Sequence, residues 1–149
     1  MYEFLTTSTI RADPETIWEI LTDAAGYAEW NPEIVTLEGR MALGERIRAR
    51  VKVGSGAIRT VPLRVTAFDA PSRMEWTGGL PLRLFTGRRI LTVTPGDGVV
   101  EFRMLVQMSG LLAGLMVKAV GNRQTEIDGF SSALKARAEQ HERTRHRDG

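Results

Sequence analysis

Cysteine is absent from the 149 residues, which excludes disulfides and thiolate metal sites. Histidine is scarce: His141 and His146 are the two present, and both stand near the C-terminal end. A general base must come within hydrogen-bond reach of its substrate, and tail histidines are badly placed for that. With no cysteine and no histidine in the core, a transition metal would find few usable ligands. No His-Glu-x-x-His, Gly-x-Ser-x-Gly or phosphate-loop pattern occurs. The expectation is a chain without metal, cofactor or catalytic side chain.

Long apolar runs are missing too. Leu111 to Gly121 is too short to span a bilayer and is interrupted by Lys118, so stable membrane insertion is not expected. The start, Met1-Tyr2-Glu3-Phe4, lacks the basic region and apolar run of a secretory signal, which favours a cytoplasmic location. Lysine is confined to Lys52, Lys118 and Lys135, so the small net charge of +2 rests on arginine. Arg46, Arg48, Arg50 and Lys52 alternate with Ile47, Ala49, Val51 and Val53, the pattern of an amphipathic strand with a solvated face. The tail from His141 to Gly149 mixes both signs of charge. Neither segment is the concentrated basic patch of a nucleic-acid binder, and no nucleic-acid partner is expected.

What is present suits a globular protein: 42% hydrophobic and 26% charged residues. The length fits one domain, read as residues 1–140, with 141–149 as a frayed tail. Tyr2 to Ile10 reads as a strand. Asp13-Pro14-Glu15-Thr16 opens a helix, with Asp13 as cap and Pro14 at the first turn, running to about Asp23. Tyr27-Ala28-Glu29-Trp30 is a second short helix, stopped by Asn31-Pro32. Six β segments follow: 34–37, 45–53, 58–68, 73–77, 82–94 and 99–108, separated by turns rich in Gly, Pro, Ser and Asp. Gly78-Gly79-Leu80-Pro81 is taken as a break between the fifth and sixth of these seven strands. Successive strands joined by tight turns predict an antiparallel meander.

Strand parity selects an inner face. Val100, Phe102, Met104, Val106 and Met108 share one side of the last strand, and Leu91 and Val93 share one side of the sixth. Arg89 falls on that same apolar side, the one charge to do so, either as the rim of a pocket, in an ion pair, or against a ligand. Leu111 to Gln140 is read as one long helix of about 45 Å, carrying Leu112, Leu115, Met116, Ala119, Val120, Arg123, Ile127, Phe130, Leu134 and Ala138 at helical spacing. A sheet with one apolar face needs a cover, and this helix is the one element long enough to supply it. Its first half contains Gly114 and Gly121, each costing a helix about 1 kcal/mol relative to alanine. Either the helix packs so closely on the sheet that a side chain would clash, or the missing side chains leave room for a ligand.

The order strand, two short helices, six strands and long helix resembles the START-like (SRPBCC) helix-grip superfamily, which includes polyketide cyclase/dehydrase-like and coenzyme Q-binding proteins. The resemblance is carried by Asp13-Pro14-Glu15-Thr16-Ile17-Trp18, Leu21-Thr22-Asp23, Tyr27 to Trp30-Asn31-Pro32, and Gly44. Ala70-Pro71 before Met74-Glu75-Trp76, and Phe130-Ser131-Ser132-Ala133-Leu134-Lys135, carry it further. It implies an α+β fold, a curved antiparallel sheet of about seven strands around a long C-terminal helix. It specifies no single activity, because one fold hosts many functions.

These readings lead to a binding protein, a carrier or sensor that holds a lipid, isoprenoid, polyketide or aromatic compound in an internal cavity. On the sheet the expected lining is Val51, Val65, Trp76, Arg89, Leu91, Phe102, Met104 and Val106. Trp30 joins it from the second helix, and Leu112, Leu115, Met116, Val120 and Arg123 from the closing one. Trp30 and Trp76 more often serve core packing than ligand stacking, and the methionines suit either a pliable pocket wall or core filling. A cyclase or aromatase that shapes a polyketide chain, with Arg89 or Arg123 polarising carbonyls, is the alternative that the resemblance allows. A third is a module that docks a macromolecule. The sequence does not set the ligand's identity or the oligomeric state.

Overall fold

The computed structural model describes residues 1–53, 56–120 and 123–148. Seven strands form one antiparallel sheet: β1 (Tyr2–Ile10), β2 (Ile34–Glu38), β3 (Arg46–Lys52), β4 (Ile58–Asp69), β5 (Arg73–Leu80), β6 (Phe85–Pro95) and β7 (Val100–Ser109). The spatial order β1-β7-β6-β5-β4-β3-β2 makes β2 to β7 a meander, with β1 joined along β7. Between β1 and β2 lie α1 (Pro14–Thr22) and α2 (Tyr27–Trp30); after β7 come α3 (Ala113–Val120) and α4 (Gln124–Asp148).

Alternation decides which side of the sheet is covered. Burial in β3 and β7 follows the apolar parity, with Ile47, Ala49, Val51, Phe102, Met104 and Val106 inside. The helical contribution comes from α4, whose Ile127, Phe130, Leu134 and Ala138 are wholly buried at the spacing of one helix face. Phe130 stacks on Phe102 at 6.1 Å and meets Trp30 edge-on at 5.5 Å. Tyr27, also fully buried, donates its hydroxyl to the Leu21 carbonyl at 2.6 Å and so ties α2 to the end of α1.

Four local expectations are corrected. The single closing helix from Leu111 to Gln140 is two helices, and the second continues to Asp148. Leu111 and Leu112 are not helical: their N–H groups donate to the carbonyls of Arg83 (3.2 Å) and Leu84 (2.7 Å), which holds them against the β5–β6 connection. Strand β6 begins at Phe85 rather than Leu82, because Leu82 (φ 61°) and Arg83 (φ 58°) are left-handed and leave the extended region. Gly78 to Leu80 extend β5 instead of breaking it; Gly79 has φ 150°, and a Cβ there would lie 2.2 Å from the Phe85 carbonyl oxygen. Asp13 occupies the N-cap position of α1 but makes no side-chain capping bond; its carbonyl accepts from Ile17 N–H instead.

Helix α3 ends at Val120, just before Gly121-Asn122 in the sequence, two poor helix formers. Gly121 itself lies outside the described residues.

Candidate functional site

Where α3 gives way to α4, the sheet is not filled by side chains. A partly open cavity of about 590 Å³ lies there, within the range of small-molecule sites. Val51 of β3, Val53 just beyond it, Val61 and Leu63 of β4, Val106 and Met108 of β7 and Met116 of α3 form most of its apolar wall. Its floor contains a glycine pair, since Gly78 of β5 stands opposite Gly87 of β6 in the ladder. Gly87 has the same parity as Arg89 and Leu91, so its missing side chain falls on the inner face.

The polar end is built around a buried carboxylate that the sequence reading passed over. Glu33 follows Asn31-Pro32 directly, and the Asn31 side chain accepts from the N–H groups of Glu33 (2.9 Å) and Ile34 (2.8 Å). This Asx turn points Glu33 inward just before β2 begins. Its carboxylate takes a two-pronged contact from Arg89, Nη1 to Oε1 at 2.6 Å and Nη2 to Oε2 at 2.7 Å. Arg123 Nη2 donates to the same Oε2. Arg89 also lies 5.7 Å from the centre of the Phe130 ring, and its Nη1 contacts Met104 Sδ at 3.4 Å.

Burial alone would push Glu33 up, but the charge and hydrogen bonds of Arg89, with Arg123 behind, hold it below the usual carboxylate range. For Arg89 burial is likewise opposed, and Glu33 carries the guanidinium above its ordinary value. Arg123 goes the other way. Burial is the largest cause, Arg89 adds to it, and Glu33 only partly compensates. Two guanidinium groups therefore share one carboxylate, an unequal stoichiometry for a site removed from water.

Of the expected lining residues, the structure brings together Val51, Trp76, Arg89, Val106, Met116 and Arg123 around this cavity. Val65, Leu91, Phe102 and Met104 are fully buried in the packed core and are not among its lining residues. Trp30 is half-buried and packs on Tyr27 and Phe130. Leu112 is half-buried, whereas Leu115 is 64% exposed and points its apolar surface to solvent. The side chain of Val120 lies outside the described residues. Gly114 does not line the cavity either: it faces β1, where a Cβ would meet the Tyr2 hydroxyl at 3.0 Å.

A signal for Glu33 was available. A charge on an apolar strand face, such as Arg89, calls for a buried counter-charge, and Glu33 sits between a turn-forming Asn-Pro and the first core residue of β2. A second concavity, about 600 Å³, lies between the ends of β1 and β6 and the C-terminal part of α4; Arg11, Asp13, Glu139, Glu142 and Arg143 make it mixed in charge.

A curved antiparallel sheet gripping a long C-terminal helix, here with a cavity beside the start of that helix, defines the START-like helix-grip class. Residues 1–139 match the profile of the family described as polyketide cyclase / dehydrase and lipid transport, and the chain belongs to that family. A START superfamily protein from Mycobacterium smegmatis is similar in structure, with TM-score 0.70 at 19% identity over 95% of this chain and 99% of that one. A hypothetical protein from Helicobacter pylori gives TM-score 0.75 at 15% identity, covering 92% and 88%. A major latex-like protein of Panax ginseng gives 0.69 at 12%, covering 95% and 97%. At such identities the likeness speaks for the fold alone. A comparison with curated proteins finds no match. Among the described residues no helix is long and apolar enough to cross a membrane.

Proposed function

We propose that this protein binds a small hydrophobic molecule in the cavity under the α3–α4 junction, as a carrier or sensor. The observation that carries this reading is a space of about 590 Å³ walled by valine, leucine, methionine and tryptophan and closed at one end by Arg89 and Arg123. Apolar area transferred from water to such a wall is worth about 25 cal/mol per Å². The few polar groups fix orientation, as in most small-molecule sites. Among the described lining residues none is Asp, Glu, His, Lys or Tyr, which favours holding a molecule over moving its protons.

Native mass spectrometry of gently purified protein tests the reading. The expected result is a retained apolar molecule, or one-to-one uptake from a panel of fatty acids, isoprenoids and aromatic compounds. Failure of every class to bind, with the fold intact by circular dichroism, would overturn it. The cyclase alternative predicts in addition that poly-β-ketone substrates are turned over, which the carrier does not.

A further inference from the structure

The charged residues lining the cavity are Arg59, Arg88, Arg89 and Arg123, all arginine. Two of these guanidinium groups are paired with carboxylates outside the lining. Arg88 donates Nε to Glu75 Oε1 at 2.5 Å, and Arg89 holds Glu33 with both prongs. The other two differ. Arg59 is exposed and has no ion pair among the described residues. Arg123 is 8% exposed and gives one nitrogen to Glu33, while its buried Nε is without a hydrogen-bond partner. A second donor in the same wall is also unpartnered: Nε1 of Trp76, whose residue is wholly buried. Trp76 stands directly opposite Arg89 in the β5–β6 ladder, beside the triad.

Both unpartnered groups can only donate. They sit where two guanidinium groups share one hydrogen-bonded carboxylate, in a setting where an unpaired polar group is costly. Glu126, one turn along α4, adds negative charge near Arg123, and its Oε2 is likewise buried without a hydrogen-bond partner, but it is not part of the lining. A neutral acceptor could satisfy the N–H groups, yet it would not offset the mutual repulsion of Arg89 and Arg123. An anionic oxygen pair satisfies both.

We infer that the cavity selects an amphipathic carboxylate. Its head is received by Arg123 Nε and Trp76 Nε1, and its apolar body lies along Val51, Val61, Leu63, Val106 and Met108. Arg59 at the exposed part of the wall attracts the same charge on entry. This identifies the ligand class for the binding reading above and rests on it.

Isothermal titration with dodecanoate, dodecanol and methyl dodecanoate, all below their aggregation limits at neutral pH, separates head from chain. The expected result is that dodecanoate binds at least about tenfold more tightly than either neutral analogue, the size of one charge-assisted hydrogen bond. Arg123→Gln should abolish that preference and leave dodecanol affinity within about twofold. Should R123Q fail to fold, Trp76→Phe keeps a ring and removes one N–H. It should weaken dodecanoate severalfold and the alcohol little. Equal affinity for all three compounds in the native protein, or a preference unmoved by R123Q or W76F, overturns the carboxylate assignment and leaves the cavity reading standing. Binding of none of the three overturns both.

Discussion

At the scale of single residues, Glu33 is the position where charge and burial are most tightly coupled. Its side chain is wholly buried, and both oxygens are taken by arginine. Glu33→Gln keeps the shape and one acceptor but leaves two buried guanidinium groups without a counter-charge. Breaking a buried pair from one side costs about 3–5 kcal/mol, a large part of the 5–15 kcal/mol that holds a typical domain together. Urea unfolding should show a loss of that order, and a loss below about 1 kcal/mol would mean that water solvates the arginines. Gly114 argues in the opposite direction. Tyr2 is 43% exposed, so the hydroxyl that a new methyl would meet can swing aside. Gly114→Ala should therefore raise stability by about 0.5–1 kcal/mol through helix propensity. A fall in thermal midpoint would show that Tyr2 is fixed.

At the scale of elements, the cavity exists because β5 and β6 present glycine to each other where other strand pairs present side chains. Gly78 could not be replaced without collision, since a Cβ would lie 2.6 Å from the Pro62 carbonyl oxygen. Gly87 is different: its nearest neighbours would be ring carbons of Phe85 at 3.6 Å, an ordinary contact. Gly87→Val should thus fold with a stability change within about 1 kcal/mol, helped by strand propensity, while filling cavity space and lowering affinity for an apolar ligand at least about tenfold. Retained affinity would place the ligand elsewhere. The same elements show what a sequence reveals. Alternation in β3, β6 and β7 and the α4 face from Ile127 to Ala138 were legible, because burial imposes periods of 2 and 3.6 on residue type. The cavity was harder to read. Gly78-Gly79 looks like a chain break, and its place inside β5 depends on the partner strand. Likewise, parity put Val65, Leu91, Phe102 and Met104 on the inner face. It does not say which part of that face the α4 side chains fill and which part they leave open.

At the scale of the whole molecule, the Glu33 triad joins parts of the chain that are 56 and 90 residues apart: the turn before β2, the middle of β6 and the approach to α4. It therefore fastens the covering helix to the sheet at the edge of the cavity, and its protonation state should appear in global stability. Glu33 is held below its ordinary value in the folded chain. A carboxylate of that kind binds fewer protons folded than unfolded, so its stabilisation is fully present above the unfolded value, about 4.3, and disappears as the pH falls through the lower, folded value. Below both, the protonated native protein faces the same unpaired arginines as the Glu33→Gln variant. Urea midpoints of the two proteins should then differ by a constant amount from neutrality down to about pH 5 and converge as the solution becomes more acid. Other carboxylates titrate in both proteins and largely cancel in the difference, which isolates Glu33. A difference that stayed constant across the whole range would mean that Glu33 never changes its proton on unfolding, and that the triad is held by shape and hydrogen bonding rather than by charge.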